Sequence, residues 1–352
     1  MSLNHAQTEA VAHNKGPCMV LAGPGSGKTL TIAKRIEYLI MKHKVRPEEI
    51  LVITFTKYAA WEMKNRTRSI CGPSSYAVTF GTFHGIYYGI LKWAYRLNQS
   101  NLLSDEEKYR ILREILPGID WDQEPEADEE KDYLQELAIE IGNVKNNCMD
   151  IEEYEPVKYT TEKFRKLYRT YEETKKKYRK IDFEDMLIQC RDLFMKRPDI
   201  LKKWQEKFQY ILVDEFQDVN QAQYDVVRML AAPQDNLFVV GDDDQSVYGF
   251  RGAKPGIMKE FMKDYPKARQ ILLDVNYRSS GYIVKGALRV IGNNKIRFEK
   301  KIEAFRKPDE TVHVQEVKDP VQEAEYVLER IREYREKGVS YTEMAVLYRT
   351  NM

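Results

Sequence analysis

A glycine-rich segment near the start of the chain has the composition and spacing of a phosphate-binding loop. Residues Ala22–Thr29 read AGPGSGKT and match the pattern A/G-x-x-x-x-G-K-S/T. Glycines let the backbone turn tightly and aim its N–H groups at phosphate oxygens, and the positive end of the following helix favours the same anion. Lys28 can then reach the β- and γ-phosphates of a nucleotide, while the Thr29 hydroxyl can hold Mg²⁺. The alternative is an ordinary glycine turn ahead of a helix.

A pair of carboxylates at the end of an apolar run is the second candidate for chemistry. Asp214 and Glu215 directly follow the run Ile-Leu-Val at 211–213. In a nucleotide hydrolase the first carboxylate holds Mg²⁺ through water, and the second orients or deprotonates the attacking water. An exposed acidic loop is the alternative for this pair. A phosphate loop alone is also compatible with a kinase, but the Asp-Glu pair at a strand end favours hydrolysis.

A third segment joins a polar turn to an aromatic cluster. Gly241–Gln245 reads GDDDQ after another apolar run, and Gln245 can hydrogen-bond a γ-phosphate or the attacking water. Tyr248, Phe250 and Arg251 follow at once, so two aromatic rings and a cation lie close together. Such a cluster suits the stacking of single-stranded bases, at about 1–3 kcal/mol per base. Taken alone, aromatic residues of this kind are more commonly core residues.

Short apolar runs that alternate with helical patterns predict the element that positions these groups, a parallel α/β sheet. The loop lies between a predicted strand and an amphipathic helix with Ile32, Ile36 and Leu39 on one face. The carboxyl ends of parallel strands share one edge of the sheet, so the three candidate segments should meet there. The predicted strands are Cys18–Ala22, Ile50–Thr54, Ala77–Thr79, Tyr210–Val213, Leu237–Val240 and Gln270–Leu273.

Residues from about 90 to 178 differ in character from the rest of the first domain. They have helical patterns, are rich in Tyr, Lys and Glu, and lack strand-like runs. We therefore predict a helical insertion between two strands. It contains an acidic stretch, Asp120–Asp132, and a basic stretch, Lys163–Lys180, that includes the triplet Lys175–Lys177. Such charge runs usually form a solvated helix face, and contact of the basic run with a DNA duplex is the alternative.

The alternating pattern restarts after about position 274 and predicts the beginning of a second domain. Two strands cannot form a sheet that is buried on both faces, so we expect this domain to be incomplete. The predicted organisation is a first domain at 1–90 and 179–274, the insertion at 91–178, and the second domain at 275–352. The predicted elements of the second domain are a helix at Ser280–Asn293, a strand at Val312–Val317, a helix at Gln322–Lys337 capped by Gly338, and a strand at Met344–Tyr348.

The composition excludes several classes of protein. The chain has 352 residues, a net charge of +1, 43% hydrophobic and 32% charged residues, as expected for a soluble globular protein of two or more domains. With so small a net charge, any nucleic-acid contact must be a local patch. No secretory signal or membrane-spanning run is found, so no membrane partner is expected. Scattered cysteines argue against zinc, iron–sulfur and disulfide frameworks and predict a cytoplasmic protein; they are Cys18, Cys71, Cys148 and Cys190.

Taken in order, these segments resemble the motifs of superfamily 1 DNA helicases of the UvrD/Rep/PcrA type. The resemblance covers nearly the whole chain, and the combination of motifs I to IV is very specific. These four are Ala22–Thr29, Val213–Asp218 (VDEFQD), Gly241–Ala253 (GDDDQSVYGFRGA) and Asn276–Ser279 (NYRS). The other matching segments are Leu3–Val11 (Q-motif), Thr54–Arg66 (motif Ia), Gly81–His84 (motif Ib), Ile181–Asp185 (the return from the insertion) and Ala345–Asn351 (the next family segment).

The resemblance implies a fold and an activity. The fold is a RecA-like P-loop NTPase sheet with an inserted helical subdomain and an incomplete second RecA-like domain. The activity is ATP-dependent movement in the 3′-to-5′ direction on single-stranded DNA, with unwinding of duplex. ATP and Mg²⁺ are the implied cofactors. The implied partners are single-stranded DNA, single-strand/duplex junctions, and accessory repair or replication proteins.

The resemblance also implies roles for single residues. Gln7 is expected to read the adenine edge and Tyr277 to stack on the adenine. Lys28, Glu215, Gln245 and Arg278 are expected to be catalytic, and an arginine that reaches the γ-phosphate is worth about 10³–10⁵ in rate. The expected ATP-binding residues are Gln7, Ala22, Gly23, Pro24, Gly25, Ser26, Gly27, Lys28, Thr29, Tyr277 and Arg278. The expected metal ligands are Thr29 and Asp214, and the expected DNA contacts are Thr54, Phe55, Thr56, His84, Tyr248, Phe250 and Arg251.

The sequence departs from the family pattern at three points. Lys57 and Tyr58 stand where motif Ia usually continues with Asn-Lys, and Leu30 stands where arginine is frequent. Motifs V and VI, with a second arginine finger, do not occur in the sequence. We therefore expect a piece of a longer protein, with weak or no activity alone. The alternative is a natural short protein that acts as a nucleotide-dependent DNA- or partner-binding module without strand separation.

Overall fold

Six strands form one parallel sheet, and its carboxyl edge carries the predicted functional segments. The computed structural model describes residues 2–119, 130–246, 253–254, 256–295, 297–307 and 311–348. The strands are β1 (Cys18–Ala22), β2 (Ile50–Thr54), β3 (Thr79–Thr82), β4 (Tyr210–Val213), β5 (Leu237–Gly241) and β6 (Arg269–Leu273). Their order in the sheet is β3-β2-β4-β5-β1-β6, and neighbouring strands are parallel throughout. The predicted α/β class is confirmed.

Of the six strands predicted for the first domain, five match the observed strands to within a residue, and the third does not. That strand begins two residues later than predicted, at Thr79. The backbone N–H of Val78 donates to the carbonyl of Ser75 at 3.1 Å, so Val78 belongs to the preceding turn although its side chain is buried. The apolar character of Val78 therefore correctly indicated a core residue, but it did not indicate a strand residue.

Both faces of the sheet are covered, which explains its continuous apolar runs. Met19 and Leu21 of β1 pack in one core cluster, and Cys18, Val20 and Ala22 pack in the other. None of the described helices has the length and apolar content needed to cross a bilayer. The helices are α1 (His5–Ala12), α2 (Lys28–Met41), α3 (Lys57–Cys71), α4 (Phe83–Tyr95), α5 (Asp105–Ile115), α6 (Glu130–Asn146), α7 (Thr161–Lys177), α8 (Phe183–Lys196), α9 (Pro198–Lys207), α10 (Gln221–Ala231), α11 (Ile257–Asp264), α12 (Gly281–Ile291) and α13 (Pro320–Glu336).

Helices α5, α6 and α7 form the predicted helical insertion between β3 and β4. They share a separate core that includes Leu112, Leu137, Phe164 and Leu167. Most of the predicted acidic stretch, residues 120–129, lies outside the described residues. The insertion therefore has its own apolar centre, distinct from the two cores of the sheet.

A buried ionic cluster joins the insertion to the sheet domain. The ammonium groups of Lys145 and Lys175 contact Asp182 at 2.9 and 2.8 Å, and Asp185 at 2.7 and 2.5 Å. Glu172 also contacts both ammonium groups, at 2.6 and 2.8 Å. Burial alone would raise the pKa of Asp182, but the two lysines hold it well below its usual range. We call these five residues the ionic cluster.

The ionic cluster corrects the interpretation of the basic stretch as a solvated face. The side chain of Lys175 is only 2% exposed, whereas Lys176 and Lys177 are exposed. Consecutive residues on a helix point about 100° apart, so one lysine of a triplet can face inward while its neighbours face solvent. The prediction is wrong at Lys175 because its charge is balanced by carboxylates, two of which, Asp182 and Asp185, lie at the start of α8.

The chain divides into two compact units, Met1–Lys307 and Pro308–Met352. The first unit also contains a small parallel sheet of β7 (Val275–Ser280) and β8 (Glu303–Arg306). The sequence did not predict β8, because its residues are exposed or half-buried and form no apolar run. The three-part division at residues 90, 178 and 274 stays a prediction.

In the second unit, α13 agrees with its predicted position and the two predicted strands do not. Gly338 follows α13 with φ +89°, as its predicted capping role requires. Residues 312–317 and 344–348 have irregular backbone, so both strand predictions are wrong. Val314 is 92% exposed and Leu347 is 93% exposed. An isolated apolar run gains no stability as a strand without a hydrogen-bonded neighbour, and none occurs among the described residues of this unit.

Candidate nucleotide site and nucleic-acid cleft

The segment between β1 and α2 has the strand-loop-helix geometry that a phosphate loop needs. Residues 23–27 make the connection, and Gly27 takes the N-cap position of α2 with φ +85°. This left-handed backbone conformation favours glycine, and a Cβ atom there would also displace Nε2 of Gln7, which would lie only 2.8 Å away. The hydroxyl of Ser26 donates to the carbonyl of Gly23 at 2.7 Å and tightens the turn.

Residues from the start of the chain and from β7 meet beside this loop. Gln7 is buried, and its Nε2 donates to the carbonyl of Ser26 at 2.9 Å. Gln7 also forms a capping box with Asn4 at the start of α1. The side-chain amide of Asn4 donates to the hydroxyl of Tyr277 at 2.9 Å. The structure thus brings Gln7 and Tyr277 to the loop, and their contacts with adenine stay predictions.

An ammonium group and two carboxylates lie together next to the loop. Nζ of Lys28 is 3.3 Å from Oε2 of Glu215. Asp214 is buried, and its Oδ1 accepts the N–H of Glu215 at 3.0 Å. Burial and the charge of Glu215 raise the pKa of Asp214 to about 7, although Lys28 lowers it. Thr29, in the first turn of α2, is half-buried. The set offers a cation for phosphate groups and oxygen ligands of the kind that Mg²⁺ prefers.

We expect Asp214→Asn to change how stability depends on pH. Because its pKa is raised, the Asp214 carboxyl group binds its proton more tightly in the folded state than in the unfolded chain. The protonated carboxyl group therefore favours the folded state, and this stabilisation is lost as the pH rises from 3.8 through about 7. In metal-free buffer the free energy of unfolding should therefore fall more steeply between pH 5 and pH 8 in the wild type than in Asp214→Asn, as measured by urea denaturation at each pH. Glu173→Gln, at an exposed position, is the control. Equal slopes in all three proteins would contradict the raised pKa.

A chain of hydrogen bonds links Gln245 to this pair of carboxylates. Nε2 of Gln245 donates to Oδ2 of Asp242 at 2.7 Å, and the N–H of Asp242 donates to Oε1 of Gln217 at 2.9 Å. Nε2 of Gln217 then donates to Oε2 of Glu215 at 2.9 Å, the oxygen that also faces Lys28. Gln217 had received no predicted role. Its place inside the VDEFQD segment was the available signal.

Strand β7 lies against the loop. Nδ2 of Asn276 donates to the carbonyl of Pro24 at 2.7 Å, and the N–H of Tyr277 donates to the carbonyl of Gly25 at 2.9 Å. Gly25 has φ +66°, and a Cβ there would lie 2.6 Å from Cβ of Arg278. Asn276, a second residue that received no predicted role, also accepts the N–H of Arg278 at 2.9 Å. The exposed side chain of Arg278 therefore starts at the loop, and its contact with a γ-phosphate stays a prediction.

A cleft of about 510 Å³ lies between the sheet domain and the helical insertion. Phe55 and His84, both predicted DNA contacts, line it together with Phe183. The rings of His84 and Phe183 meet edge to face with their centroids 5.8 Å apart. Phe183 is 48% exposed and was not predicted, although it lies in the segment Ile181–Asp185. The insertion side of the cleft includes Lys108, Tyr109, Gln135 and Asn143.

The other predicted DNA contacts fall into two groups. Thr54 is buried and donates its hydroxyl to the carbonyl of Thr56 at 3.1 Å, while the hydroxyl of Thr56 caps α3. Both hydroxyl groups therefore shape the turn that presents the cleft. Tyr248, Phe250 and Arg251 lie outside the described residues, and their base-stacking role stays a prediction.

Comparison with known proteins identifies the family. The protein-family model described as the UvrD/REP helicase N-terminal domain matches residues 3–266 of this chain. The chain belongs to the UvrD/REP helicase family. A second model, the UvrD-like helicase C-terminal domain, matches residues 271–352 of this UvrD/REP-family chain. The resemblance drawn from the motifs is thereby confirmed.

Individual UvrD/REP relatives match over essentially the whole chain. YjcD of Bacillus subtilis (strain 168) is 40% identical over 362 residues, which cover 100% of this chain and 46% of that protein. The ATP-dependent DNA helicase PcrA of Staphylococcus aureus (strain Mu50) is 36% identical over 357 residues, which cover 99% of this chain and 48% of PcrA. The chain thus spans about half the length of the curated relatives it matches, and it is homologous to ATP-dependent DNA helicases.

Proposed function

We propose that the chain carries the ATP-hydrolysing motor of a DNA helicase that moves 3′-to-5′ on single-stranded DNA and unwinds duplex. The ion pair of Lys28 and Glu215, beside the buried Asp214, is the observation that carries the proposal. Phosphate groups compete with Glu215 for the Lys28 ammonium because they carry more negative charge and more acceptor oxygens. Once released from Lys28, Glu215 is placed to orient or deprotonate the attacking water.

Asp214 and Thr29 would hold Mg²⁺ at this site. The Asp214 carboxylate is buried, and burial together with the charge of Glu215 raises its pKa to about 7, so Lys28 compensates its negative charge only in part. A divalent cation supplies that compensation, and oxygen atoms are its preferred ligands. When bound, the ion neutralises charge on the transferred phosphoryl group. The donor set thus fits the metal that the family implies.

Gln245 and Arg278 would complete the site at the γ-phosphate. Gln245 is connected to Glu215 through Asp242 and Gln217, so its amide and the carboxylate are positioned together. Arg278 approaches from β7, whose backbone is bonded to the loop. A displacement of β7 would move the guanidinium with respect to the phosphates. Hydrolysis would in this way be coupled to a change of conformation.

The cleft lined by Phe55, His84 and Phe183 would take single-stranded DNA. Its rings provide stacking surfaces that accept any base, since every base has a π-face. The cleft lies between the sheet domain and the insertion, and Phe55 follows β2 directly at the carboxyl edge of the sheet. The same edge carries the nucleotide site, so a movement there can reach the bound strand.

Phe183→Ala should weaken binding of a single-stranded oligonucleotide by about 5- to 150-fold, since the loss of one stacked base is worth about 1–3 kcal/mol. Fluorescence anisotropy with a labelled oligothymidine measures the affinity. Tyr178→Ala is the matched control, because Tyr178 has similar exposure (45% against 48%) and does not line the cleft. If both variants bind with the same affinity, the cleft is not the DNA site.

Steady-state ATP hydrolysis with and without single-stranded oligonucleotide tests the motor itself. Stimulation by DNA supports a helicase motor. DNA affinity that responds to ATP without any hydrolysis supports the alternative, a nucleotide-dependent binding module.

We extend the proposal to the partners and the location of the protein. The proposed partners are single-strand/duplex junctions and accessory repair or replication proteins. The proposed location is the cytoplasm, where the protein would act in DNA repair.

A further inference from the structure

Three consecutive carboxylates follow β5, and two cations from the segment between α12 and β8 form ion pairs with them. Nζ of Lys300 lies 2.5 Å from Oδ1 of Asp242 and 2.8 Å from Oδ2 of Asp244, and it also contacts Asp243. Arg297 donates to the two oxygens of Asp244 at 2.8 and 2.6 Å. The Lys300 side chain is 1% exposed. This buried ammonium group is therefore held by three carboxylates at once.

The carboxylate of Asp242 is shared between Lys300 and Gln245. Its Oδ1 accepts from Lys300, and its Oδ2 accepts from Nε2 of Gln245 at 2.7 Å. The N–H of Gln245 also donates to the carbonyl of Asp242 at 2.9 Å. Three donors fix the plane of this carboxylate: Lys300 and the N–H of Asp244, the latter at 3.2 Å, bond Oδ1, and Gln245 bonds Oδ2. Lys300 is the charged donor among them, so the orientation of the Gln245 amide depends in part on Lys300.

The backbone of Asp242 extends this dependence to Glu215. The N–H of Asp242 is bonded to Gln217, and Gln217 is bonded to Glu215. A Cβ atom at Gly241 would lie 3.1 Å from the backbone N of Gln217 and 3.3 Å from that of Phe216, so the close approach of the two turns favours glycine. Lys300 thus lies at one end of a bonded chain whose other end is the Glu215 carboxylate.

We propose that Lys300 is a positioning residue of the ATP site, which orients Gln245 through the Asp242 carboxylate and Glu215 through Gln217. The inference rests on the proposed function, in which Gln245 and Glu215 act on the γ-phosphate and its attacking water. Lys300 lies three residues before β8, and β8 pairs with β7, which carries Arg278. A shift of this small sheet would consequently act on the nucleotide through Lys300 as well as through Arg278.

Lys300→Met tests the proposal against Lys301→Met, which removes the same charge from the exposed neighbour. We expect Lys300→Met to lower kcat for DNA-stimulated ATP hydrolysis by about 10- to 100-fold, as is typical when a group that orients a catalytic residue is lost. The KM for ATP should stay within about threefold, because Lys28 and the loop are intact. Lys300→Arg, which keeps the charge, should recover most of the rate, and Lys301→Met should match the wild type.

Arg297→Gln separates positioning from general weakening of the acidic turn. It removes a cation from the same cluster, but one that donates to Asp244 and not to Asp242. Its kcat should fall less than that of Lys300→Met, and equal losses in the two variants would overturn the proposal. If Lys300→Met does not fold, Asp242→Asn replaces it. That variant keeps the side-chain shape but weakens the bond to Lys300, and we expect the same fall in kcat.

Hydrogen exchange tests the role of Lys300 without requiring ATP hydrolysis, so it separates a failure of this inference from a failure of the proposed function. The N–H groups of Asp242 and Gln245 should exchange about tenfold faster or more in Lys300→Met than in Lys301→Met, because the turn at 242–245 that carries both groups loses its contact with Lys300. Unchanged exchange, or wild-type kcat in Lys300→Met, would overturn the proposal. If the wild-type chain neither binds nor hydrolyses ATP, the proposed function fails, while faster exchange confined to Lys300→Met still supports the positioning of Gln245 by Lys300.

Discussion

Glu215→Gln should leave ATP bound and nearly abolish its hydrolysis. The amide oxygen can still accept from Lys28 and Gln217, as the Glu215 carboxylate does at 3.3 and 2.9 Å. An amide cannot take a proton from water, and the loss of a general base costs about 10²–10⁴ in rate. Phosphate release with and without single-stranded oligonucleotide measures hydrolysis, and equilibrium titration with a fluorescent ATP analogue measures binding.

Two further variants serve as controls for Glu215→Gln. Glu206→Gln makes the same chemical change at an exposed position and should hydrolyse ATP like the wild type. Lys28→Met should lose nucleotide affinity, because it removes the cation at the loop. If Glu215→Gln keeps hydrolysis within about tenfold of the wild type, another group activates the water and the assignment of Glu215 is wrong.

Lys175→Met should destabilise the first unit by about 3–5 kcal/mol, the typical cost of removing one partner from a buried ion pair. Lys175 contacts Glu172, Asp182 and Asp185, and its loss leaves Lys145 alone against the three carboxylates. Urea denaturation followed by circular dichroism measures the change in the free energy of unfolding.

The adjacent lysine supplies a control for the ionic cluster. Lys176→Met changes the same residue type one position along the helix, where the side chain is exposed, and should alter stability by no more than about 0.5 kcal/mol. Adding Asp185→Asn to Lys175→Met should recover part of the loss, because it restores the charge balance. Equal stability of the two single variants would show that the cluster contributes nothing to the fold.

The phosphate loop and the sheet could be predicted because local patterns specify them. Residues 18–41 contain a buried strand, a loop whose glycines have the required spacing, and an amphipathic helix, so no distant contact is needed to identify them. The carboxylates Asp214 and Glu215 were predictable for the same reason, since they directly follow a buried run. In this part of the fold, the spacing of apolar residues along the sequence matches the observed type of each element, strand or helix.

The missed residues act through contacts that join distant parts of the chain. Lys300 and Asp242 are 58 positions apart, and Asn276 and Pro24 are 252 positions apart. Nothing local distinguishes Lys300 from Lys301, or Lys175 from Lys176, because only the tertiary structure decides which ammonium faces a carboxylate. Phe183 was missed likewise, since the wall that makes it part of a cleft comes from the insertion.

The ionic cluster also limits how the helical insertion can be exchanged between relatives. Residues 91–178 contain Lys145 and Lys175, but the Asp182 and Asp185 carboxylates that receive them lie beyond that boundary. A chimera joined at residue 178 would set foreign side chains against two buried carboxylates of the host, whatever the quality of its own apolar core. The transferred segment should therefore end after residue 185. It then contains both the two lysines and the Asp182 and Asp185 carboxylates that they contact.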